Sequence, residues 1–202
     1  MLPRLRLATT PPRIVLDQRS REEGFFSFGA VRRVPFFVTP MVGFTETSIV
    51  HGSGESFEYQ VYAMDGKLSR TVRLAAPAQT ITRADVQRAR DALNASTRDP
   101  AEARKLVAAM DAMTLPSTHP AYDRIVAESD GVVWLRAYSP DSSRAESWVR
   151  FDPLGNLEGT LAIPAGWRAI GFSGSRVVLR EDDAITGLQR LKVHAIDRLH
   201  RE

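Results

Sequence analysis

The side chains able to do chemistry in this chain are few and scattered. Cysteine is absent from its 202 residues, which removes thiolate nucleophiles, disulfides and cysteine-ligated zinc together. The histidines, His51, His119, His194 and His200, share no helical or strand spacing suited to a metal ion. One stretch gathers several polar groups. In L-P-S-T-H-P-A-Y-D-R, a loop leading into a strand, it places His119, Tyr122 and Arg124, which are the candidate binding residues. The competing reading is a loop fixed by its two prolines and packed against neighbouring structure.

The remaining motifs reduce to local structure. Glu181-Asp182-Asp183 offers carboxylates of the kind calcium takes, but no glycine-containing ligand loop surrounds it, and a solvated hairpin turn explains it. Ser173-Gly174-Ser175 lacks the strand–turn–helix context of a nucleophile elbow. Asn94-Ala95-Ser96 fits the glycosylation pattern, which is short and frequent. Neither a catalytic constellation nor a cofactor site is expected from these residues. The net charge is +3, carried almost wholly by arginine, since Lys67, Lys105 and Lys192 are the only lysines. The arginines are spread along the chain and mostly have acidic neighbours, so a nucleic-acid partner is not expected. No apolar run reaches the roughly 18–20 residues that span a bilayer, and the N-terminal stretch lacks the apolar core of a signal peptide.

The elements that must hold these residues are strands. Ile125–Glu128 and Val132–Tyr138 flank Ser129-Asp130-Gly131, and Asp-Gly between apolar runs signals a hairpin. Trp148–Phe151 and Leu157–Ile163 flank Asp152-Pro153-Leu154-Gly155, where proline presets one turn dihedral and glycine permits positive φ. Four antiparallel strands in about 45 residues is the size of one β-propeller blade. Upstream, strands are expected at Val34–Thr39, Ser48–His51, Phe57–Met64 and Lys67–Leu74, with a shorter one at Ile14–Leu16. Phe25-Phe26-Ser27-Phe28 is too apolar to lie free in solvent.

One hairpin occurs twice. Y-Q-V-Y-A-M-D-G-K-L-S-R-T-V-R-L (59–74) matches W-V-R-F-D-P-L-G-N-L-E-G-T-L-A-I (148–163). Gly66 and Gly155 lie 89 residues apart, too far for one blade, and the excess is Thr80 to Pro116. That segment reads as a helical hairpin over about 82–113. Thr82 caps the first helix, with Val86, Ala89 and Leu93 on one face. Asp99-Pro100-Ala101-Glu102 starts the second helix, and Leu106, Val107, Met110 and Met113 form its apolar stripe. Such a stripe either receives a ligand or partner, or packs the pair onto a sheet edge. Beyond the central blade come Trp167–Phe172, Arg176–Arg180 and Gln189–Ile196: three strands, with a fourth expected from the far N-terminus as propellers often arrange it. Trp134, Trp148 and Trp167 fall in strands with apolar neighbours on both faces, as packing between blades requires. The expected fold is therefore all-β, a single partial β-propeller over residues 1–202. It has about three four-stranded antiparallel blades, an inserted α-helical hairpin and an irregular segment at 1–33.

The helical insertion followed by L-P-S-T-H-P-A-Y-D-R-I-V-A-E-S-D-G-V-V-W-L-R, then W-V-R-F-D-P-L-G-N-L and L-A-I-P-A-G-W, resembles the six-bladed β-propeller proteins of the TolB-like and NHL-repeat-like group. The resemblance is to a bacterial subgroup of unknown function and covers residues 59 to 196. It implies an extracytoplasmic or lipid-anchored binding module without catalytic residues, and at this length the chain looks like the C-terminal half of such a ring. In that setting the loop of His119, Tyr122 and Arg124 would line a channel mouth, where a protein, peptide or glycan binds. The alternative is a metal-dependent hydrolase resembling the gluconolactonase-type propellers, which need ligands from several blades. Three blades leave two open ends, so self-association or pairing with a missing half is expected.

Overall fold

The computed structural model describes residues 24–27, 30–33, 35–37, 40–141, 144–182, 186–197 and 199–200. Strands β1 (Gly24–Ser27) and β2 (Ala30–Arg33) pair with each other in a two-stranded ribbon. The first main sheet is an antiparallel meander of β3 (Met41–Phe44), β4 (Ser48–Gly52), β5 (Glu58–Ala63) and β6 (Leu68–Arg73). Helices α1 (Arg83–Ser96) and α2 (Pro100–Asp111) follow. The second sheet repeats the meander with β7 (Tyr122–Ala127), β8 (Val133–Ala137), β9 (Glu146–Phe151) and β10 (Leu157–Ile163). The third has β11 (Trp167–Ser173), β12 (Arg176–Asp182) and β13 (Gln189–Ala195).

The all-β class with an inserted helical hairpin is as the residues predict, and the strand counts are four, four and three. Among the described residues no strand pairs with the free edge of β13; the chain beyond it returns to the second sheet, where Thr160 and His200 exchange backbone hydrogen bonds of 2.9 Å. Within the expected strand Val34–Thr39, the described residues Pro35 and Phe36 form a turn, and the first strand of this sheet begins at Met41. Proline removes a ladder donor, and Phe36 takes φ 72°, which no strand accommodates. The expected strand Ile14–Leu16 and the residue Phe28 lie outside the described residues.

The duplicated hairpin falls at the same place in both meanders, as third and fourth strands. Its turns are built alike. Asp65 Oδ1 accepts from Lys67 N at 3.0 Å, and Asp152 Oδ1 accepts from Leu154 N at 2.9 Å. Gly66 and Gly155 then take φ of 86° and 90°, which a side chain would resist. Each hairpin also carries a register shift where the fourth strand begins, Val61/Tyr62 in one and Leu157/Gly159 in the other.

Packing follows from strand alternation. Between the first and second sheets lie Val50, Tyr59, Val61 and Val72 on one side and Ile125, Val133, Leu135, Val149 and Phe151 on the other. Between the second and third lie Val132, Trp134, Trp148 and Ile163 against Ala169, Val177 and Leu179. Successive residues of β8 thus point to opposite cores, and a strand apolar on both faces is the signature of a sheet covered twice. The indole of Trp134 is fully buried and stacks on Phe172, centroids 4.2 Å apart at 12°. Trp148 meets the same ring edge-on at 4.8 Å.

Truncating the stacked indole should expose how much this second core contributes. Trp134→Ala is expected to cost about 3–5 kcal/mol, the usual range for a buried tryptophan. The measure is the denaturation midpoint at unchanged m-value; a loss below about 1 kcal/mol would place the indole outside the core.

Candidate functional site: the entry to the second sheet

The loop 117–121 is fastened at both ends before it enters β7. Thr80 and Thr118 form a backbone bridge, Ile81 N donates to Ser117 O at 3.0 Å and His119 N donates to Gln79 O at 2.7 Å. Further on, Ala121 N donates to Gly54 O at 2.8 Å, and Tyr138 N donates to Ala121 O at 3.0 Å. The segment therefore touches the helical hairpin, the first sheet and its own sheet within a few residues. His119, Tyr122 and Arg124 all lie here, and each reaches a different neighbour.

His119 turns into the protein towards the helices. Its Nε2 stands 3.3 Å from Asp85 Oδ2, and both side chains are buried. The ring stacks on Tyr138 at 5.4 Å and takes the edge of Phe36 at the same separation. Asp85 is the N3 residue of α1 and forms the capping box with Thr82, accepting from Thr82 N at 2.8 Å and from its hydroxyl at 2.6 Å. Arg88 adds an ion pair to the same carboxylate. The Thr82 hydrogen bonds, and then His119, hold the Asp85 carboxyl down at about pKa 2. A depressed carboxyl stabilises the fold above its unfolded value near 3.9, and that contribution is lost as pH falls through about 2.

Tyr122 turns towards the first sheet. Its phenol is fully buried and donates to Glu58 O at 2.6 Å, and burial pushes its pKa above the usual range. Gly52 of β4 makes the room: a Cβ there would stand 1.8 Å from Tyr122 Oη. Only glycine tolerates that approach.

Arg124 turns towards the third sheet. Its guanidinium donates to Ala169 O at 3.0 Å and to Ile170 O at 3.5 Å, both on β11, and lies 5.8 Å from the Trp148 ring centroid. Burial lowers its pKa. Beside it Arg136 bridges Asp123 at 2.7 Å and Glu146 at 3.0 Å. Burial opposes the charge on Arg136, but those two carboxylates outweigh it and raise the pKa. Glu146 also accepts from Trp148 Nε1 at 3.0 Å and from Ala169 N at 3.1 Å, so this ladder too ends on β11.

Sequence reasoning passed over the carboxylates in these joints. Asp123, Glu146 and Glu128 sit among apolar strand residues, where no local motif singles them out. Glu128 is buried, accepts from Trp134 Nε1 at 2.8 Å and takes the Gly174 N–H of the turn between β11 and β12. The available signal was its place directly before the Ser129-Asp130-Gly131 turn and six residues from a tryptophan. The other expectations fall where they can be described. Asp182 ends β12 and pairs with Arg180 at 3.1 Å, while Asp183 lies outside the described residues. Among the described residues no three His, Asp or Glu side chains come together as a metal site requires, and no helix is long and apolar enough to cross a membrane.

No family model matches the chain, and no curated protein does. Among solved structures it is similar to a member of the DUF4221 family from Bacteroides vulgatus. The identity is 10% and the TM-score 0.44, over 83% of this chain and 53% of that one. The chain thus spans about half the length of that protein.

The joint between β4 and β7 is testable through its tight contact. Gly52→Ala should cost about 3 kcal/mol or more, since the added carbon collides with the phenol. Tyr122→Phe should cost roughly 1 kcal/mol for its lost hydrogen bond. Combined, the two should cost less than their sum by about 1 kcal/mol, read from equilibrium unfolding; strict additivity would contradict the contact.

Proposed function

We propose that the chain is a non-enzymatic interaction module, a sector of a β-propeller-type stack that works by presenting sheet faces to a protein partner. The observation that supports this is the contrast between the middle sheet and the outer two. The second sheet is covered on both faces, whereas the first exposes apolar side chains on its outer face and the third exposes a mixed outer face, Leu191 and Val193 beside Arg168 and Arg180. On the first sheet, Phe44, Ile49, Tyr62 and Leu68 are cross-strand partners in one row. Phe44 is 63% exposed and Leu68 53%. On the third, Leu191 is 62% exposed and Val193 63%. Apolar surface left in water forgoes about 25 cal/mol per Å², and contiguous patches of it mark interaction sites. The Tyr122 hydroxyl, the Arg124 guanidinium and His119 Nε2 of the β7 entry, by contrast, are directed at neighbouring elements of the chain itself.

The reading is checked with a fluorescent dye that binds exposed apolar surface. In Leu191→Asp the row at Phe44 stays intact, and this chain should bind the dye at nanomolar concentration. Adding Phe44→Asp should lower the signal at least about twofold. Absence of dye binding by the single variant down to the nanomolar range would show the face covered and overturn the reading.

A further inference from the structure

Both junctions between sheets use one pair of faces in one order, and this identifies what the open faces receive. Strand register places corresponding pairs of the sheets on corresponding faces. Ile49 pairs with Tyr62 as Val133 pairs with Phe151, and Val42 pairs with His51 as Ile125 pairs with Leu135. In the second sheet these residues, Ile125, Val133, Leu135 and Phe151, are the ones packed on the sheet before it. Their counterparts in the first sheet, Val42, Ile49, His51 and Tyr62, form its outer face, where Val42 is exposed and the other three are half-buried. That face is a receiver with no described sheet in front of it.

The third sheet ends the series with the opposite face. Arg168 pairs with Arg180, and Arg180 with Leu191, as Arg124 pairs with Arg136, and Arg136 with Trp148. In the second sheet this row turns onward: Trp148 is fully buried in the second core, and Arg124 donates to carbonyls of β11. In the third sheet Arg168 and Leu191 are exposed. We infer that a second copy of this chain occupies both open faces, the third sheet of each copy stacking on the first sheet of the other. The inference rests on the reading of the chain as an interaction module. A single chain carries one onward face and one receiving face, so the contact is a continuation of the two junctions already present within it. Such head-to-tail contacts close into a ring or run on as a filament. The three main sheets of the described residues make six in two copies, within the four to eight at which radial stacks close, and closure ends the assembly at two.

Sedimentation equilibrium at micromolar concentration is the test, with a thermal melt confirming that each variant folds. The wild-type chain is expected as a dimer. Phe44→Asp blocks the receiving face and Leu191→Asp the onward face, both at exposed positions. Each variant alone should weaken dimerisation by at least about tenfold. Mixed one to one, they should recover a heterodimer, because the onward face of Phe44→Asp and the receiving face of Leu191→Asp are both intact. A dimer untouched by one of the two substitutions, or a mixture without rescue, would mean a like-on-like contact and overturn the inference. Growth beyond two copies with concentration would overturn the closed ring. A wild-type monomer alongside dye binding by Leu191→Asp would overturn the inference while leaving the interaction module standing; a monomer without dye binding would remove both.

Discussion

Double coverage of the second sheet is the constraint on which the rest of this molecule depends. The run Val132 to Leu135, which leads into and begins β8, has no polar face to give to water, so its fold requires a sheet on either side. Val133 and Leu135 enter one core, Val132 and Trp134 the other, and all four are buried. The third sheet contributes Ala169, Val177 and Leu179 to that arrangement but leaves β13 exposed along its whole length. The first sheet likewise gives one face and keeps the other open. The stack is most strongly determined at its centre and least at its ends.

Apolar faces bring sheets together without fixing their alignment, and the polar side chains at the joints supply that. Burying a carboxylate or guanidinium is costly unless every lone pair and donor finds a partner, so each such group specifies the position of what it touches. Glu128 holds Trp134 and the Gly174 turn at once. Arg124 and Glu146 grip the two sides of the Ala169 peptide units on β11. Tyr122 fixes the other junction against Glu58, and His119 with Asp85 sets the helical hairpin on the loop. Three residues within six positions thereby join three separate neighbours.

Much of this was legible in the sequence, for physical reasons that can be named. The Asp-Gly and Asp-Pro-Leu-Gly turns encode hairpins through dihedral preference alone, and the duplicated hairpin disclosed that two sheets are built alike. Thr82 and Asp99 marked both helix starts because capping chemistry is local. The roles of His119, Tyr122 and Arg124 depend instead on partners such as Glu58, 64 positions away, and Ala169, 45 positions away. No local pattern carries such pairings. Phe36 misled for a related reason: its run of apolar residues suits a strand, but a left-handed turn lets its ring meet His119. Tertiary contact overrode propensity there.

The central claim, that stability is concentrated in the doubly covered sheet, is tested most directly by native-state hydrogen exchange. Amides of β8 and β9, Trp134, Leu135 and Val149 among them, should be the slowest in the molecule and exchange only through global unfolding. Those of β13 should open locally at a fraction of that free energy. Protection in β13 equal to that of β8, or fast exchange at Trp134 and Leu135, would contradict the account.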